Sequence, residues 1–419
     1  MKNPMPLIDF DKALAVLVDA AEKDPGLASK SSPELQALIT HWLQTPGEPV
    51  GGLTPEISAR WMTLLQKAGG NASALAIDCT AGGRIPFPPP AAPAFRFIDL
   101  FAGIGGFRLA LQSLGGKCVF SSEWDKGAQK TYYRNYGEFP FGDIKQFTAE
   151  SVSDDQLDRL IPDHDILAAG FPCQPFSHAG VSARTSLGQH HGFACETQGT
   201  LFFDIVRIAK VKRPRVLLLE NVRNLKGHNG GQTFETIRRT IERPVEEGGL
   251  GYSFSHEVVD SCTLVPQRRK RCYMVCFRDP EIKFAFPDFS GKPLALKSIL
   301  EPTPSGKFTI SDTLWQGHQS RTARNLERGT GFTAFTANLE LPSNTLVARY
   351  GKDGKECLIP QEGKNPRKLT PRECARLQGF PEAFIHPEAR TPAYKQFGNS
   401  VTVPVVRKIA EKILQTLKL

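Results

Sequence analysis

The stretch Phe97-Ile98-Asp99-Leu100-Phe101-Ala102-Gly103-Ile104-Gly105-Gly106 decides the fold. Its first half is short and mostly apolar, as a strand covered on both faces reads. Its second half places glycines at 103, 105 and 106, where a chain turns sharply and lets a ligand approach its backbone. Residues 107–114 then suit an amphipathic helix. Strand, glycine turn and helix in succession open many nucleotide-binding folds, although the full Gly-x-Gly-x-x-Gly spacing is absent.

The same alternation continues outward. Residues 95–101, 118–121, 166–170, 216–220 and 271–277 read as strands, and residues 126–135, 201–212 and 233–245 as helices. The series predicts an α/β fold with an open, mostly parallel sheet, and ligands at the carboxyl ends of its strands. Glu123 ends the strand after the glycine turn, twenty residues past Gly103, where a carboxylate takes ribose hydroxyls. Trp124 offers an aromatic face for a purine, and Gly142-Asp143-Ile144 follows the third predicted strand. Together these favour an adenosine-containing cofactor.

Organisation outside the sheet follows from composition. Residues 1–85 read as an N-terminal helical extension, with apolar residues at helical spacing over 11–21, 33–43 and 55–67. Ile85-Pro86-Phe87-Pro88-Pro89-Pro90 reads as a semi-rigid linker. A catalytic cofactor-binding domain is assigned to 94–285. An irregular domain rich in Gly, Pro, Thr and Arg takes 286–390, and 391–419 returns to the catalytic domain. Thr370-Pro371-Arg372-Glu373 forms a capping box before a helix that Gly379 stops, and a closing helix follows Pro404.

The 419 residues carry 52 basic and 43 acidic side chains, a net +9. Residues 1–94 hold seven basic and nine acidic side chains, so the whole surplus lies beyond the linker. That distribution suits a polyanionic partner for the later part and a structural or oligomerising role for the extension. No apolar run reaches the ~18 residues a membrane helix needs. Asp9 and Asp11 interrupt the segment where a signal peptide is apolar. Nine cysteines without a Cys-x-x-Cys pair argue against a disulfide framework or zinc ribbon, and a reducing cytoplasmic setting is expected.

Three further segments carry chemistry. In Gly170-Phe171-Pro172-Cys173-Gln174-Pro175-Phe176-Ser177, a cysteine sits just past a strand's carboxyl end between two prolines, where a thiolate would be a nucleophile. The residues between Cys173 and Thr200 read as a lid, and His178, His190, His191 and Cys195 within them match no metal-ligand spacing, so no metal is expected. Glu220-Asn221-Val222 ends another apolar strand, where burial would raise the pKa of Glu220 toward a value suited to acid catalysis. In Gln267-Arg268-Arg269-Lys270-Arg271, alternation sends Arg269 and Arg271 to one side and Arg268 and Lys270 to the other.

This ordered set resembles the DNA (cytosine-5)-methyltransferase family, from Asp99-Leu100-Phe101-Ala102-Gly103-Ile104-Gly105-Gly106 through the Pro-Cys-Gln, Glu-Asn-Val and Gln-Arg-Arg-Lys-Arg segments to Gly398-Asn399-Ser400-Val401. The resemblance implies an S-adenosylmethionine-dependent, Rossmann-like methyltransferase sheet with an inserted target-recognition domain. It implies Cys173 as nucleophile toward cytosine C6, Glu220 at N3 and the exocyclic amine, and Arg271 at O2 with Arg269 in support. Cofactor contacts fall on Asp99, Phe101, Gly103, Gly105, Glu123, Trp124 and Asp143, and on Asn399, Ser400 and Val401 from the C-terminal side. Ser177 would touch a flanking phosphate. The implied partner is double-stranded DNA, bound by a monomer, with a restriction endonuclease as a functional but not physical companion.

Within the insert, Leu314-Trp315, Arg321, Arg324, Gly329-Thr330-Gly331-Phe332, Thr345-Leu346 and Arg349-Tyr350 resemble the branch reading CC-GG-type palindromes such as CCWGG. Arginines there are the expected guanine readers. Thr333-Ala334 departs from that branch's Gly-aromatic pair. Two other readings share the motifs: a tRNA cytosine-5 methyltransferase, and a catalytically silent DNA-binding regulator.

Overall fold

The computed structural model describes residues 8–28, 30–44, 46, 50–69, 77–78, 84–172, 201–329, 331 and 333–419. Cys173, Ser177, His178, His190, His191, Cys195, Thr330 and Phe332 lie outside the described residues.

The N-terminal unit contains a short parallel pair, β1 (Ile8–Asp9) with β2 (Ile77–Asp78), and three helices, α1 (Phe10–Glu22), α2 (Ser32–Gln44) and α3 (Pro55–Gly69). Asp9 caps α1 by accepting from the backbone N–H groups of Asp11 and Lys12, which otherwise lack partners at a helix start. Phe10, Leu17, Leu38, Trp42, Trp61 and Leu65 form its core, with the two tryptophans edge to face at 5.5 Å. The three helices match the sequence periodicity.

The central sheet has six strands: β3 (Phe95–Leu100), β4 (Gly116–Ser122), β5 (Ile166–Gly170), β6 (Val216–Val222), β7 (Ser255–Asp260) and β8 (Lys270–Phe277), in the order β4-β3-β5-β6-β8-β7. The first four in this order are parallel, and β8 runs antiparallel to both its neighbours. Period-two alternation sends Ile166, Ala168, Val216 and Leu218 to one covered face, and Leu167, Ala169, Leu217 and Leu219 to the other. Each such side chain, taken fully out of water, contributes about 1.5–3 kcal/mol if it is Val, Leu or Ile.

Three elements differ from the sequence reading. β7 was not foreseen because only Val259 is buried on this edge strand, so it has no apolar alternation to show. The strand expected just before Gly142 is a single bridge between Phe141 and Ser122. The insert contains a 16-residue helix, Asp312–Glu327, whose buried residues are His318 and Thr322. A helix that buries so little has no apolar stripe, although Ser311, capping the N–H of Leu314, marked its start. A two-stranded hairpin, β9 (Ile359–Gln361) with β10 (Lys364–Arg367), follows it.

The C-terminal part matches its signals. Thr370 and Glu373 exchange capping-box hydrogen bonds, and Gly379 turns at φ +78°. Helix Val403–Leu417 buries Val406, Ile409 and Ile413 and packs on helix Gly106–Gln112, which starts at the glycine turn. The chain's last helix thus braces the element that follows its first predicted strand.

The proline-rich segment is not a free linker. Gln112 donates to the carbonyls of Phe87 and Pro88, the Phe87 N–H donates to Asn135, and Ile85 is buried. A segment with few N–H donors keeps its carbonyls as acceptors, and here they tie it to the sheet domain.

Candidate active site

A cavity of about 540 Å³ opens at the carboxyl ends of β3, β4, β5 and β6. Parallel strands put these ends together, and the register puts Gly170 beside Glu220. Antiparallel β8 begins where β6 ends, with Arg271 opposite Val222, so Arg271 falls on the same face as Glu220. The two side chains meet, Arg271 Nε lying 3.1 Å from Glu220 Oε1.

One half of the cavity suits a nucleoside. Gly103 has φ +57°, and its N–H donates to Glu123 Oε2 at 2.7 Å. The Asp125 N–H donates to the other Glu123 oxygen at 2.7 Å, so two backbone donors fix the carboxylate at the end of β4. Burial pushes the Glu123 carboxyl up, and these two N–H groups oppose the shift. Trp124, 75% exposed, leaves a large aromatic face on the cavity. Phe101, Gly103 and Asp143 line the same half, and Ser122 Oγ donates to the Gly142 carbonyl, holding the Asp143 loop against β4.

Asn399, Ser400 and Val401 line the cavity from the C-terminal side. A Cβ on Gly106 would come within 2.7 Å of Val401 Cγ2 and 2.9 Å of Ser400 Oγ, which shows how closely this segment packs on the glycine turn. Arg269 holds it there: its guanidinium donates to the carbonyls of Leu346 (2.8 Å), Gly398 (3.0 Å) and Ser400 (2.7 Å). Burial lowers the Arg269 pKa to about 9, with Arg271 adding to the fall. Arg269 and Arg271 face the cavity while Arg268 and Lys270 are exposed, as alternation predicts.

The other half suits a planar polar base. Glu220 is 8% exposed, and burial raises its pKa against the pull first of Arg271 and then of Arg269. Phe171 and Pro172 form the adjacent wall. Asn221 Nδ2 donates to the Phe171 carbonyl at 3.0 Å, which fixes the backbone two residues before Cys173. Asn221 has no role in the sequence expectations, and its position between a catalytic candidate and a strand end was the available signal. Lys395 and Asp125, paired at 2.6 Å on the cavity wall, were likewise missed, because 270 residues separate them.

Not every candidate residue reaches the cavity. Asp99 is fully buried in β3, and its carboxyl oxygens find no hydrogen-bond partner among the described residues. Burial pushes that carboxyl well up, opposed chiefly by the Arg108 charge. Its place is beneath the turn, where the strand's alternation points it inward. Gly105 also lies behind the lining, at φ +82°, with Tyr136 packed where a Cβ would sit. Arg321, Arg324 and Arg349 lie in the insert and do not line the cavity. Arg321 is 4.0 Å from Asp353 and Arg349 is 3.9 Å from Glu356. Among the described residues, no three His, Cys, Asp or Glu side chains are grouped to hold a metal. None of the described helices is long and apolar enough to cross a membrane.

Gly105→Ala is expected to distort the turn. A Cβ there would stand 2.3 Å from the Tyr136 ring. Overpacking of this kind costs about 1–3 kcal/mol, and the left-handed backbone adds about 1–2 kcal/mol. Calorimetric unfolding should show the loss, and equilibrium dialysis should show weaker nucleoside-cofactor binding.

The family of C-5 cytosine-specific DNA methylases has a sequence model that matches residues 95–415. Type II methyltransferase M.SsoII of Shigella sonnei is 48% identical over 339 residues, covering 79% of this chain and 83% of that protein. A DNA-cytosine methyltransferase of Escherichia coli K12 is 42% identical, covering 80% and 81% respectively. The solved structure of the S. pombe Dnmt2 methyltransferase superposes with a TM-score of 0.58 at 16% identity, over 78% of this chain and 99% of that one. At that identity the superposition speaks for the fold.

Proposed function

Because this chain belongs to the C-5 cytosine-specific DNA methylase family, we propose that it transfers a methyl group from S-adenosylmethionine to C5 of a cytosine in duplex DNA, as the modification half of a restriction-modification system. The observation that carries the reading is a single cavity joining a nucleoside-shaped half, around Gly103, Glu123 and Trp124, to a polar half around Glu220 and Arg271. A volume of about 540 Å³ lies in the usual range for small-ligand sites.

In this reading Phe101 and Trp124 pack on the adenine, Glu123 takes the ribose hydroxyls, and Asp143 takes the adenine amino group. Asn399, Ser400 and Val401 close the pocket, held by Arg269. When bound, the cofactor supplies an electrophilic sulfonium methyl group. The Cys173 thiolate adds to C6 of the cytosine, which makes C5 enamine-like and nucleophilic toward that methyl. Glu220, whose pKa burial raises, hydrogen-bonds N3 and the exocyclic amine and offsets charge developing there. Arg271 binds O2. Loss of the C5 proton then expels the cysteine and restores the ring. A stacked base exposes neither face of C6, so the cytosine must leave the helix.

Arg321, Arg324 and Arg349 in the insert would contact the major groove, and a CC-GG-type palindrome such as CCWGG is the proposed target. Duplex DNA fits the basic surplus beyond residue 94. One protomer per site and a cytoplasmic setting complete the proposal. An intact Glu220–Arg271 pair favours an enzyme over a silent regulator.

The test is transfer of labelled methyl groups to duplex DNA and to tRNA, with bisulfite sequencing of DNA from cells expressing the protein. Label in duplex DNA and protected cytosines within CCWGG are expected. Label in tRNA alone would replace this reading with the RNA one, and protection confined to unrelated sites would overturn the target.

A further inference from the structure

The N-terminal helical unit grips the sheet domain at four consecutive residues. Gln44 Nε2 donates to the Tyr136 carbonyl at 3.3 Å. Ile85 packs so closely on Gly137 that a Cβ there would lie 2.3 Å from Ile85 Cδ1. His41 Nε2 lies 3.4 Å from Glu138 Oε2, while its Nδ1–H donates to Ala37 O at 2.8 Å. The Phe139 N–H donates to Thr40 Oγ1 at 3.0 Å. His41, Thr40, Glu138 and Tyr136 are all buried, so these contacts are shielded from water and salt.

Residues 136–139 connect to the cofactor half of the cavity at both ends. Upstream, Tyr136 Oη donates to the Gly105 carbonyl at 2.8 Å, and the Tyr136 ring fills the space a Cβ on Gly105 would need. Glu138 also takes a two-pronged contact from Arg108, at 2.6 and 3.0 Å, and that guanidinium lies over the Tyr136 ring at 4.7 Å. Arg108 belongs to the helix that begins at the glycine turn. Downstream, Phe141 exchanges backbone hydrogen bonds with Ser121 and Glu123, and the His41 ring lies 4.9 Å from the Phe141 ring. Asp143 follows two residues later.

We propose that the N-terminal unit is a positioning element of the cofactor site: through His41 and Thr40 it fixes residues 136–139, and these hold the glycine turn on one side and the Asp143 loop on the other. The inference rests on the cavity being the S-adenosylmethionine site. It gives residues 1–94 a task the family's motifs do not require of them, since those motifs begin after the linker.

A bridge of this kind acts on cofactor affinity rather than on DNA. In the full-length protein, His41→Ala and Thr40→Val are each expected to raise the Kd for S-adenosylmethionine roughly tenfold in calorimetric titration. The KM for S-adenosylmethionine should rise in parallel, with kcat and the KM for duplex DNA within about twofold. His41→Gln retains much of the buried ring's volume and can donate an amide N–H to Glu138, so it should recover most of the affinity. Leu17→Ala, buried in the unit's own core, should lower the unfolding temperature without changing cofactor affinity. Unchanged affinity in folded His41→Ala and Thr40→Val would overturn the inference, as would an equal loss in Leu17→Ala. A wild-type chain that fails to bind S-adenosylmethionine would overturn the proposed function along with it.

Discussion

Replacing Cys173 by serine is expected to lower methyl transfer by at least about a thousandfold while leaving DNA affinity near that of the wild type. Cytosine C5 is too weak a nucleophile to attack a sulfonium methyl group unless a covalent adduct at C6 first breaks the ring's aromaticity. A serine hydroxyl is rarely ionised near neutral pH, so it cannot replace a thiolate in that addition. DNA affinity comes chiefly from phosphate and groove contacts spread over the basic surface, and replacing one sulfur by oxygen in a pocket leaves those intact. Single-turnover transfer of labelled methyl groups and a gel-shift titration on the same preparation would separate the two effects. Near-normal transfer by the serine variant would remove Cys173 from the mechanism.

Glu220→Gln should separate activity from stability in opposite directions. Glutamine matches the shape and hydrogen bonds of a neutral Glu220, donating to N3 and accepting from the exocyclic amine, but it cannot move a proton. The expected loss in kcat is about 10²–10⁴-fold, the usual range for a positioned general acid. Burial raises the Glu220 pKa in the folded chain above its ordinary carboxylate value. A carboxyl that holds its proton more tightly folded than unfolded contributes stability that is full below the unfolded value, near 4.3, and is lost as pH rises through the raised folded value. Above that folded value the ionised Glu220 therefore costs stability, and the glutamine variant should there unfold roughly 1–4 °C higher. Below pH 4 the two proteins should melt together. A thermal unfolding series from pH 4 to pH 8 would show the difference opening as pH rises, and a difference that shrinks would contradict the assigned burial.

Much of this arrangement was legible in the sequence because it depends on local signals. The glycine turn, the apolar runs of β3, β5 and β6, and the Thr370–Glu373 capping box each declare themselves within ten residues. Strand ends locate candidate contacts once a parallel sheet is accepted, which is how Glu123 and Glu220 were found, and both line one cavity with Arg271, which alternation had placed. Asp99 was misplaced by the same logic, since a motif groups residues that a strand's alternation then sends to different sides. The helix Asp312–Glu327 was hidden because an exposed helix carries no apolar stripe, and the edge strand β7 for a similar reason. Contacts between distant segments left no trace at all. Nothing in the chain near His41 announces Glu138, and the proline-rich segment gave no sign that its carbonyls would be claimed by Gln112. Charge counting set the extension apart from the basic remainder, yet its burial against residues 136–139 is a matter of shape and hydrogen bonding, which net charge does not report.

The most direct test of the central claim is to incubate the protein and S-adenosylmethionine with a duplex carrying 5-fluorocytosine at the target position, and to sequence the cross-linked peptide by mass spectrometry. Fluorine at C5 cannot depart as the proton does, so the adduct formed by the attacking residue is trapped after methyl transfer. The account expects one covalent adduct per duplex, dependent on the cofactor, with the modified base attached to Cys173. Methylated DNA without any adduct, or an adduct on a different residue, would contradict it.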